Sequence, residues 1–504
     1  MLYGTLVLTL TSIVSQLLGF VYRIFLSRLI GAEVMGLYQL VMPVFSVLLS
    51  ITAVGLTAAV SNLSSAFHAL DNRAAIAQVL RRCLVLFLAI FAGAAAVVLL
   101  FNDAIAVHLL GDARTQLALV LLLPCLLLTG VENLHKHFFY GTGNIRPPAA
   151  VELCEQFIRS GAVLGLLVLF LPQSPERTVG LIVTGMIVCE VFSALTLFFL
   201  ARRHLDRRAG LPGTPLDRPA LDRRIRAIAV PIGLTSLLGN LMGAATSVLI
   251  PQRLVRSGAE VGRAMEAFGV LCGMTLPMLC LPTAFIGALG LVLVPKLAQS
   301  TALGRRDQVR WRIDRSLLAT SVLILPAMAF LVVLGPTLGA ALFQEPTVGQ
   351  YILPLSVGVA LSCYQSVLSC ALNGVGRQPD AARSAILCGV CELGCTFFLM
   401  GLPGVGLKGF AAAFVLSSAL GVVLDWIYIR RATGLRADLF RWCTAPALAS
   451  LLMGLVIRLL FRVLLDLGQE GLPAAGACLL FGGVLYLAAL QAQGVRLRSL
   501  FCLK

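Results

Sequence analysis

The chain has 504 residues, 59% of them hydrophobic and only 12% charged, with a mean hydropathy of +0.95. Soluble globular chains carry about 25% charged and about 45–50% apolar residues, so a water-soluble globule is excluded and the bilayer is the solvent that suits this composition. The formal net charge of +16 would suggest nucleic acid in a soluble protein, but here topology and anionic-lipid contact account for it, and no nucleic-acid partner is expected.

A spanning helix needs about 20 mostly apolar residues. About fourteen such stretches lie along the sequence: 3–27, 36–62, 83–101, 116–138, 148–171, 179–201, 225–250, 267–294, 316–336, 349–373, 383–402, 408–429, 443–465 and 473–492. The connections are short, and none can hold an independent soluble domain. The first stretch lacks a basic n-region and an A-x-A-like cleavage site, and Gln16, Arg23 and Arg28 interrupt it. It therefore reads as a retained helix rather than a secretory signal.

Alternate connections carry most of the basic side chains. Residues 202–226 hold Arg202, Arg203, Arg207, Arg208, Arg218, Arg223, Arg224 and Arg226; residues 296–315 hold Lys296, Arg305, Arg306, Arg310, Arg312 and Arg315; residues 430–441 add Arg430, Arg431, Arg436 and Arg441. In all, 28 of the 39 Lys and Arg fall on one side and 10 on the other, with Arg159 inside a span. The positive-inside rule then places both termini in the cytoplasm.

The 14 Cys are scattered through the spans, where free Cys behaves as a small hydrophobe. Cys388, Cys391 and Cys395 share one helix face but lack a fourth ligand and a nearby His, so helix packing is expected and metal binding is not.

The sequence also repeats. Leu10-Thr11-Ser12-Ile13-Val14-Ser15-Gln16-Leu17-Leu18-Gly19 in the first span aligns without a gap on Leu234-Thr235-Ser236-Leu237-Leu238-Gly239-Asn240-Leu241-Met242-Gly243 in the seventh, with five of ten pairs identical. Gly141-Thr142-Gly143 after the fourth span is echoed by Gly374-Val375-Gly376 after the tenth, with Pro147 and Pro379 following. Both copies of each echo share an orientation, so the halves are parallel repeats with a path expected between them. The G-x-G turns lack the strand and spacing of a dinucleotide fingerprint and read as helix exits. The expected architecture is an all-α polytopic membrane protein of two six-helix lobes around a central cavity plus two C-terminal helices. Residues 1–201 form the first lobe, 202–226 a basic cytoplasmic linker, 227–432 the second lobe, and 433–504 the last two helices and a cytoplasmic tail.

Charged side chains within spans need partners or a wet cavity. Gln16 and Arg23 lie in the first span with Arg28 near its outer end; Glu132 lies in the fourth, and Glu152, Glu155 and Arg159 share a face of the fifth. Glu190, Glu392 and Asp425 lie in the sixth, eleventh and twelfth, and Arg253 closes the seventh. Glu155 and Arg159 are spaced for a structural i, i+4 pair, and Arg28 and Arg253 suit either an outer rim or snorkelling anchors. Pro43, Pro231, Pro277 and Pro282 allow bending in the second, seventh and eighth spans. No HExxH, P-loop, Asp-rich cluster or supported Ser–His pair is present in the sequence.

The runs Gly19-Phe20-Val21-Tyr22-Arg23, Ser27-Arg28-Leu29-Ile30-Gly31-Ala32-Glu33 and Gly36-Leu37-Tyr38 resemble the opening of the stage V sporulation protein B branch of the multidrug/oligosaccharidyl-lipid/polysaccharide exporter superfamily. Val230-Pro231-Ile232, Pro251-Gln252-Arg253-Leu254, Leu276-Pro277, Leu281-Pro282-Thr283 and Leu293-Val294-Pro295 fit the same pattern. The resemblance implies a MATE-like flippase for polyprenyl-pyrophosphate-linked saccharides such as cell-wall, spore-cortex or polysaccharide precursors. Many relatives carry an acidic residue late in the seventh span, where this chain reads Thr246-Ser247-Val248-Leu249. That departure weakens an ion-coupling role for the seventh span.

On this reading the chain is not an enzyme and has no cofactor; membrane potential, H+ or Na+ would bias the cycle. Arg23, with Arg28 or Arg253 at the rim, would attract the pyrophosphate, since guanidinium pairs with phosphate bidentately. Gln16 and Asn240 would contact sugars, and Glu155 and Arg159 complete the substrate candidates. Glu132, Glu155, Glu392 and Asp425 are the ion-coupling candidates. Expected partners are the lipid-linked substrate, the bilayer of a bacterial plasma membrane and cell-wall synthesis enzymes, with the chain acting as a monomer. Competing readings are a drug or metabolite/cation antiporter using the buried carboxylates, a membrane glycosyltransferase, and a cell-wall scaffold.

Overall fold

In the computed structural model of the chain, Leu2–Leu49 form one helical run, α1, interrupted only at Gly31 (φ 75°, ψ 174°). At 1.5 Å per residue a run of 48 residues would extend about 72 Å, more than twice the hydrocarbon thickness. Gly31 therefore divides it into two crossings, the first two spans expected from sequence. A π-helical stretch, Ser50–Val54, joins α1 to α2 (Gly55–Ala69). The route is fixed by α4 (Gln116–Gly141). Glu33, just past the kink, pairs at 2.7 Å with Arg114 before the start of α4, whereas Gly141 at its far end packs on Ser61 and Ser64. The chain between 33 and 64 thus runs the length of α4.

The structure describes residues 2–206, 216–402, 404–435, 440–469 and 471–493. Arg207 and Arg208 of the basic linker, Arg436 and the tail 494–504 lie outside the described residues, as does the side chain of Arg441. α3 (Arg73–Leu100) opens on an Asn72 cap, whose Oδ1 accepts from the Ala75 amide at 3.1 Å. α5 (Arg146–Phe170), α6 (Pro175–Asp206) and α7 (Arg218–Arg256) follow. The eighth crossing is broken into α8 (Val261–Phe268), a π-helical stretch Gly269–Thr275, α9 (Leu276–Cys280) and α10 (Thr283–Ala302). Pro277 and Pro282 each remove a backbone donor there, which is where such a helix yields. It is longer at both ends than the 267–294 expected.

The remaining helices are α11 (Arg306–Phe343), α12 (Ile352–Gly374), α13 (Gln378–Leu399), α14 (Leu407–Thr433), α15 (Ala445–Asp466) and α16 (Leu472–Ala492). Fourteen helical segments are long and apolar enough to span a bilayer. One of them, Leu10–Ala69, makes two crossings, and the Val261–Cys280 and Thr283–Ala302 segments together make one, so fourteen crossings remain. No strand occurs among the described residues.

The chain forms two compact units: Met1–Gln252 with Val261–Gly269, and Arg253–Glu260 with Val270–Lys504. The division falls after Gln252, although the sequence reading began its second lobe at 227. Specific contacts hold α7 to the first unit. Arg82 grips Asp222 with two bonds of 2.7 Å, Gln78 exchanges two bonds with the Leu216 backbone, and Gly55 lies directly on Ala229. Phe87, Phe138 and Phe139 are fully buried at the centre of that unit's core. Leu100, Val168 and Leu169 on α3 and α5 are exposed, as expected for side chains that face lipid.

The two Gly-x-Gly turns have the same construction in both units. After α4, Gly143 is left-handed (φ 73°) and the Asn144 amide donates to Phe139 O at 3.0 Å. After α12, Gly376 is left-handed (φ 83°) and the Arg377 amide donates to Leu372 O at 2.8 Å. Both are six-residue helix exits of the Schellman type.

Candidate functional site

In the first unit, α4, α5 and α6 bring five ionisable side chains together. Lys136 Nζ lies 2.6 Å from Glu132 Oε1 and 3.4 Å from Glu155 Oε2. Arg159 pairs through one terminal nitrogen with Glu155 and, at 3.3 Å, with Glu190 Oε1. All three carboxylates are buried, at 1%, 5% and 3% exposure for Glu132, Glu155 and Glu190. Helix periodicity sets the arrangement: Glu132–Lys136 and Glu155–Arg159 are both i, i+4 pairs, so each helix supplies an acid and a base on one face. Glu190 joins from α6.

Counted as ions, the cluster holds three negative and two positive charges. Glu132 is within hydrogen-bond reach of Glu190, and Glu190 Oε2 has no donor among the described residues. Two facing carboxyls need a proton or a cation between them. Ligand-type atoms of Glu155, Cys189 and Glu190 also come within 4.8 Å of one another, a grouping that would suit a metal ion. Arg159 already occupies that space, since it bonds both carboxylates and reaches Cys189 Sγ through Nε at 3.5 Å. The guanidinium takes the place a resident metal would have.

Beside the cluster, Arg23 on α1 is half-buried and within electrostatic reach of the Tyr22 and Tyr38 hydroxyls, as Arg159 is. Arg23 has no ion pair or hydrogen bond among the described residues. Gln16 and Arg28 are exposed. Asn240 donates to Ser50 Oγ at 2.6 Å and lies 3.4 Å from Ser236 Oγ. Near them an apolar cavity of about 410 Å³ opens between α2, α3 and α7, lined by Ser50, Leu56, Ile90, Arg226 and Leu237 among others.

The other candidates belong to the second unit. Arg253 lies over the Phe397 ring, 3.3 Å from its centroid, with Nε buried and without an acceptor among the described residues. Glu392 Oε2 accepts from Ser417 Oγ at 3.3 Å. Asp425 is buried beside Ser384 and Cys388, and Gln365 Nε2 reaches Cys388 Sγ at 3.5 Å. This second polar group occupies the repeat positions of the first. Glu132 stands nine residues before Gly141 and Gln365 nine before Gly374, while Glu155 and Cys388 both stand on the helix that follows.

A family model described as "Polysaccharide biosynthesis protein" matches residues 1–301, and one described as "Lipid II flippase MurJ" matches residues 163–469. The chain belongs to the polysaccharide biosynthesis protein family. The helical order found here is the fold of solved MurJ and MATE transporter structures. Among curated relatives, stage V sporulation protein B of Bacillus subtilis (strain 168) is 23% identical over 84% of this chain and 82% of its own. Lipid II flippase MurJ of the same organism is 24% identical over 92% of this chain and 89% of its own. Among solved structures, lipid II flippase MurJ in an inward closed conformation aligns with a TM-score of 0.67 at 12% identity, covering 95% of this chain and 97% of that one. An inward-facing multidrug resistance MATE transporter aligns with a TM-score of 0.63 at 16% identity, covering 84% and 96%. The chain is thus a multi-pass bacterial membrane protein whose relatives include a lipid II flippase and sporulation proteins.

Relative to the sequence reading, the structure joins Glu132, Glu155 and Arg159 in one cluster and keeps Glu392 and Asp425 in another unit. Lys136 and Cys189 were not among the sequence candidates, and Glu190 was noted without a role. The i, i+4 spacing of Glu132 and Lys136 carried a signal for the first of these; nothing local marks Cys189.

Proposed function

We propose that the chain is a flippase that carries a polyprenyl-pyrophosphate-linked saccharide across the bacterial cytoplasmic membrane by alternating access. The observation that carries this reading is Arg23: a half-buried guanidinium on a spanning helix, without a counter-ion among the described residues, in a chain matched by a lipid II flippase family model over residues 163–469. An unpaired charge at that depth costs several kcal/mol, and a pyrophosphate headgroup is a bidentate acceptor that would offset it. The apolar cavity bordered by Arg226 and Ser50 offers a place for the start of the isoprenoid tail. Asn240 and Gln16 would meet sugar hydroxyls.

The buried cluster around Glu155 supplies the coupling. Its carboxylates outnumber its cations by one, so uptake of one proton or Na+ completes it, and release frees a charge that the membrane potential can act on. No cofactor or catalytic step is required, and the chain is proposed to work as a monomer with both termini in the cytoplasm, delivering substrate to cell-wall synthesis enzymes.

The test is headgroup accessibility in liposomes loaded with polyprenyl-pyrophosphate saccharides. Protein-dependent flipping that disappears in Arg23→Ala, at unchanged expression, is the expected result; flipping that survives removes Arg23 from the path. A second reading, a drug or metabolite/cation antiporter, draws on the same carboxylate cluster and the MATE-like fold. It requires substrate-induced proton release from purified protein without lipid-linked substrate.

A further inference from the structure

In the second unit three helices end at one place. α10, α12 and α14 finish at Ala302, Gly374 and Thr433, and each is followed by a left-handed glycine: Gly304 (φ 67°), Gly376 (φ 83°) and Gly434 (φ 68°). The first two exits place an arginine directly after the glycine. The Arg305 amide donates to Ser300 O at 3.0 Å and the Arg377 amide to Leu372 O at 2.8 Å, so both backbone positions are fixed by the turns. Between these ends lies a polar cavity of about 400 Å³, lined by Ser300, Arg305, Arg306, Arg377, Arg431 and Thr433 among others. At about 30 Å³ per water it has room for a dozen waters or for a phosphate group with its shell.

Four guanidiniums around one cavity need an explanation. A first one is that they neutralise helix C-termini, each carrying about half a negative charge. Three ends then offset about one and a half of four positive charges. Other arginines already serve those ends: Arg310 donates through Nε to Thr433 O at 2.7 Å, and Arg312 bonds Lys296 O and, at 2.7 Å, Ser300 Oγ. The nearby acids are also engaged. Asp307 pairs with Arg310 at 3.7 Å, and Asp380 is shared between Arg377 at 3.5 Å and Arg383 at 3.4 Å. Among the described residues Arg305, Arg306 and Arg431 have no acidic partner. Like charges held around a common solvent-exposed void repel one another, and an anion inside it would bring the balance towards zero.

We infer that this cavity, where the ends of α10, α12 and α14 meet, is a binding site for a phosphate oxyanion, held by Arg305, Arg306, Arg377 and Arg431 with Ser300 and Thr433 at its wall. Guanidinium forks match phosphate oxygens in pairs. The helix ends lie at the margin of the spanning region, where basic pockets meet anionic headgroups and each arginine near the surface adds about 1 kcal/mol of attraction. An occupant would clamp three helices to the start of α11. This site is separate from the cluster around Glu155 and does not depend on what the chain transports.

The test is thermal unfolding of the full chain in zwitterionic detergent, titrated with phosphatidylglycerol, phosphatidylcholine or inorganic phosphate. Phosphatidylglycerol or inorganic phosphate should raise the midpoint saturably by several degrees, while phosphatidylcholine should not. A response to the lipid alone assigns a headgroup; a response to both assigns phosphate in either form. The Arg306→Gln/Arg431→Gln double variant should lose the response, while Arg458→Gln/Arg462→Gln on α15 should keep it. Without added anion the first variant should unfold no earlier than the parent, because two repelling charges are gone. An unchanged response in that variant, no response to either anion in the parent, or earlier unfolding of the anion-free variant overturns the assignment.

Discussion

Asn240 donates through Nδ2 to Ser50 Oγ at 2.6 Å, which ties the middle of α7 to the π-helical stretch after α1. Ser50 also lies 3.2 Å from Ser236 Oγ, and its hydroxyl bonds back to Ser46 O at 2.9 Å. Interhelical bonds of this kind in bilayers are worth about 0.6 kcal/mol on average and up to about 1.7 kcal/mol. Asn240→Ala should therefore cost about 1 kcal/mol, and Ser50→Ala should add little once Asn240 is gone. Equilibrium unfolding of the single and double variants in mixed micelles checks this; fully additive costs would show that the two side chains do not share a bond.

Lys136 is the sole base within reach of both Glu132 and Glu155 that comes from α4. Its replacement by Met strands the buried Glu132 carboxylate, since Glu155 keeps Arg159, and breaking a buried pair this way costs about 3–5 kcal/mol. Lys136→Met should fall sharply in folded yield and melting temperature. Adding Glu132→Gln should recover most of the loss, because the charge left over is then removed. No recovery in the double variant would mean that Lys136 acts through packing.

Gly31 has a backbone conformation open to glycine and almost nothing else, yet no atom lies within 4 Å of where a Cβ would stand. Gly31→Ala should thus cost about 1–3 kcal/mol from backbone strain alone. Cysteine pairs spanning the bend, read by spin-label distances, should show the two halves of α1 moving towards a straight helix. An unchanged angle together with unchanged stability would count against the bend being glycine-dependent.

Arg253 stacks on Phe397 rather than reaching for an acid. A desolvated cation–π contact contributes about 2 kcal/mol and an exposed one about 0.5–1 kcal/mol; Phe397 is 42% exposed, so a value near 1 kcal/mol is expected. Phe397→Leu should lower stability by about that much, Phe397→Trp should preserve it, and Arg253→Lys should lose part of it. Equal stability of the Leu and Trp variants would rule out a ring-face contribution.

Much of this was legible in the sequence, for identifiable reasons. Hydropathy located the crossings because each must be about 20 apolar residues long, and Gly141-Thr142-Gly143 with Gly374-Val375-Gly376 marked equivalent helix exits because only glycine takes the left-handed turn cheaply. The Glu155–Arg159 pair followed from helical spacing alone. Contacts between distant segments were not legible. Glu190 joins Arg159 across 31 residues, and Arg82 binds Asp222 across 140, pinning α7 to the first unit. Continuity of α1 through Gly31 was also hidden, because composition gives the same apolar signal whether a helix bends or stops.

The unequal chemistry of the two repeated helix trios has an evolutionary reading. If the halves descend from one duplicated segment, they have diverged: the first has carboxyls at Glu132 and Glu155, whereas the second has an amide at Gln365 and a thiol at Cys388. One copy then holds its acids at these two positions, while its sibling carries Glu392 and Asp425 at others on its following helices. Placing acids at Gln365 and Cys388 would ask whether a single ancestral half could have done both jobs.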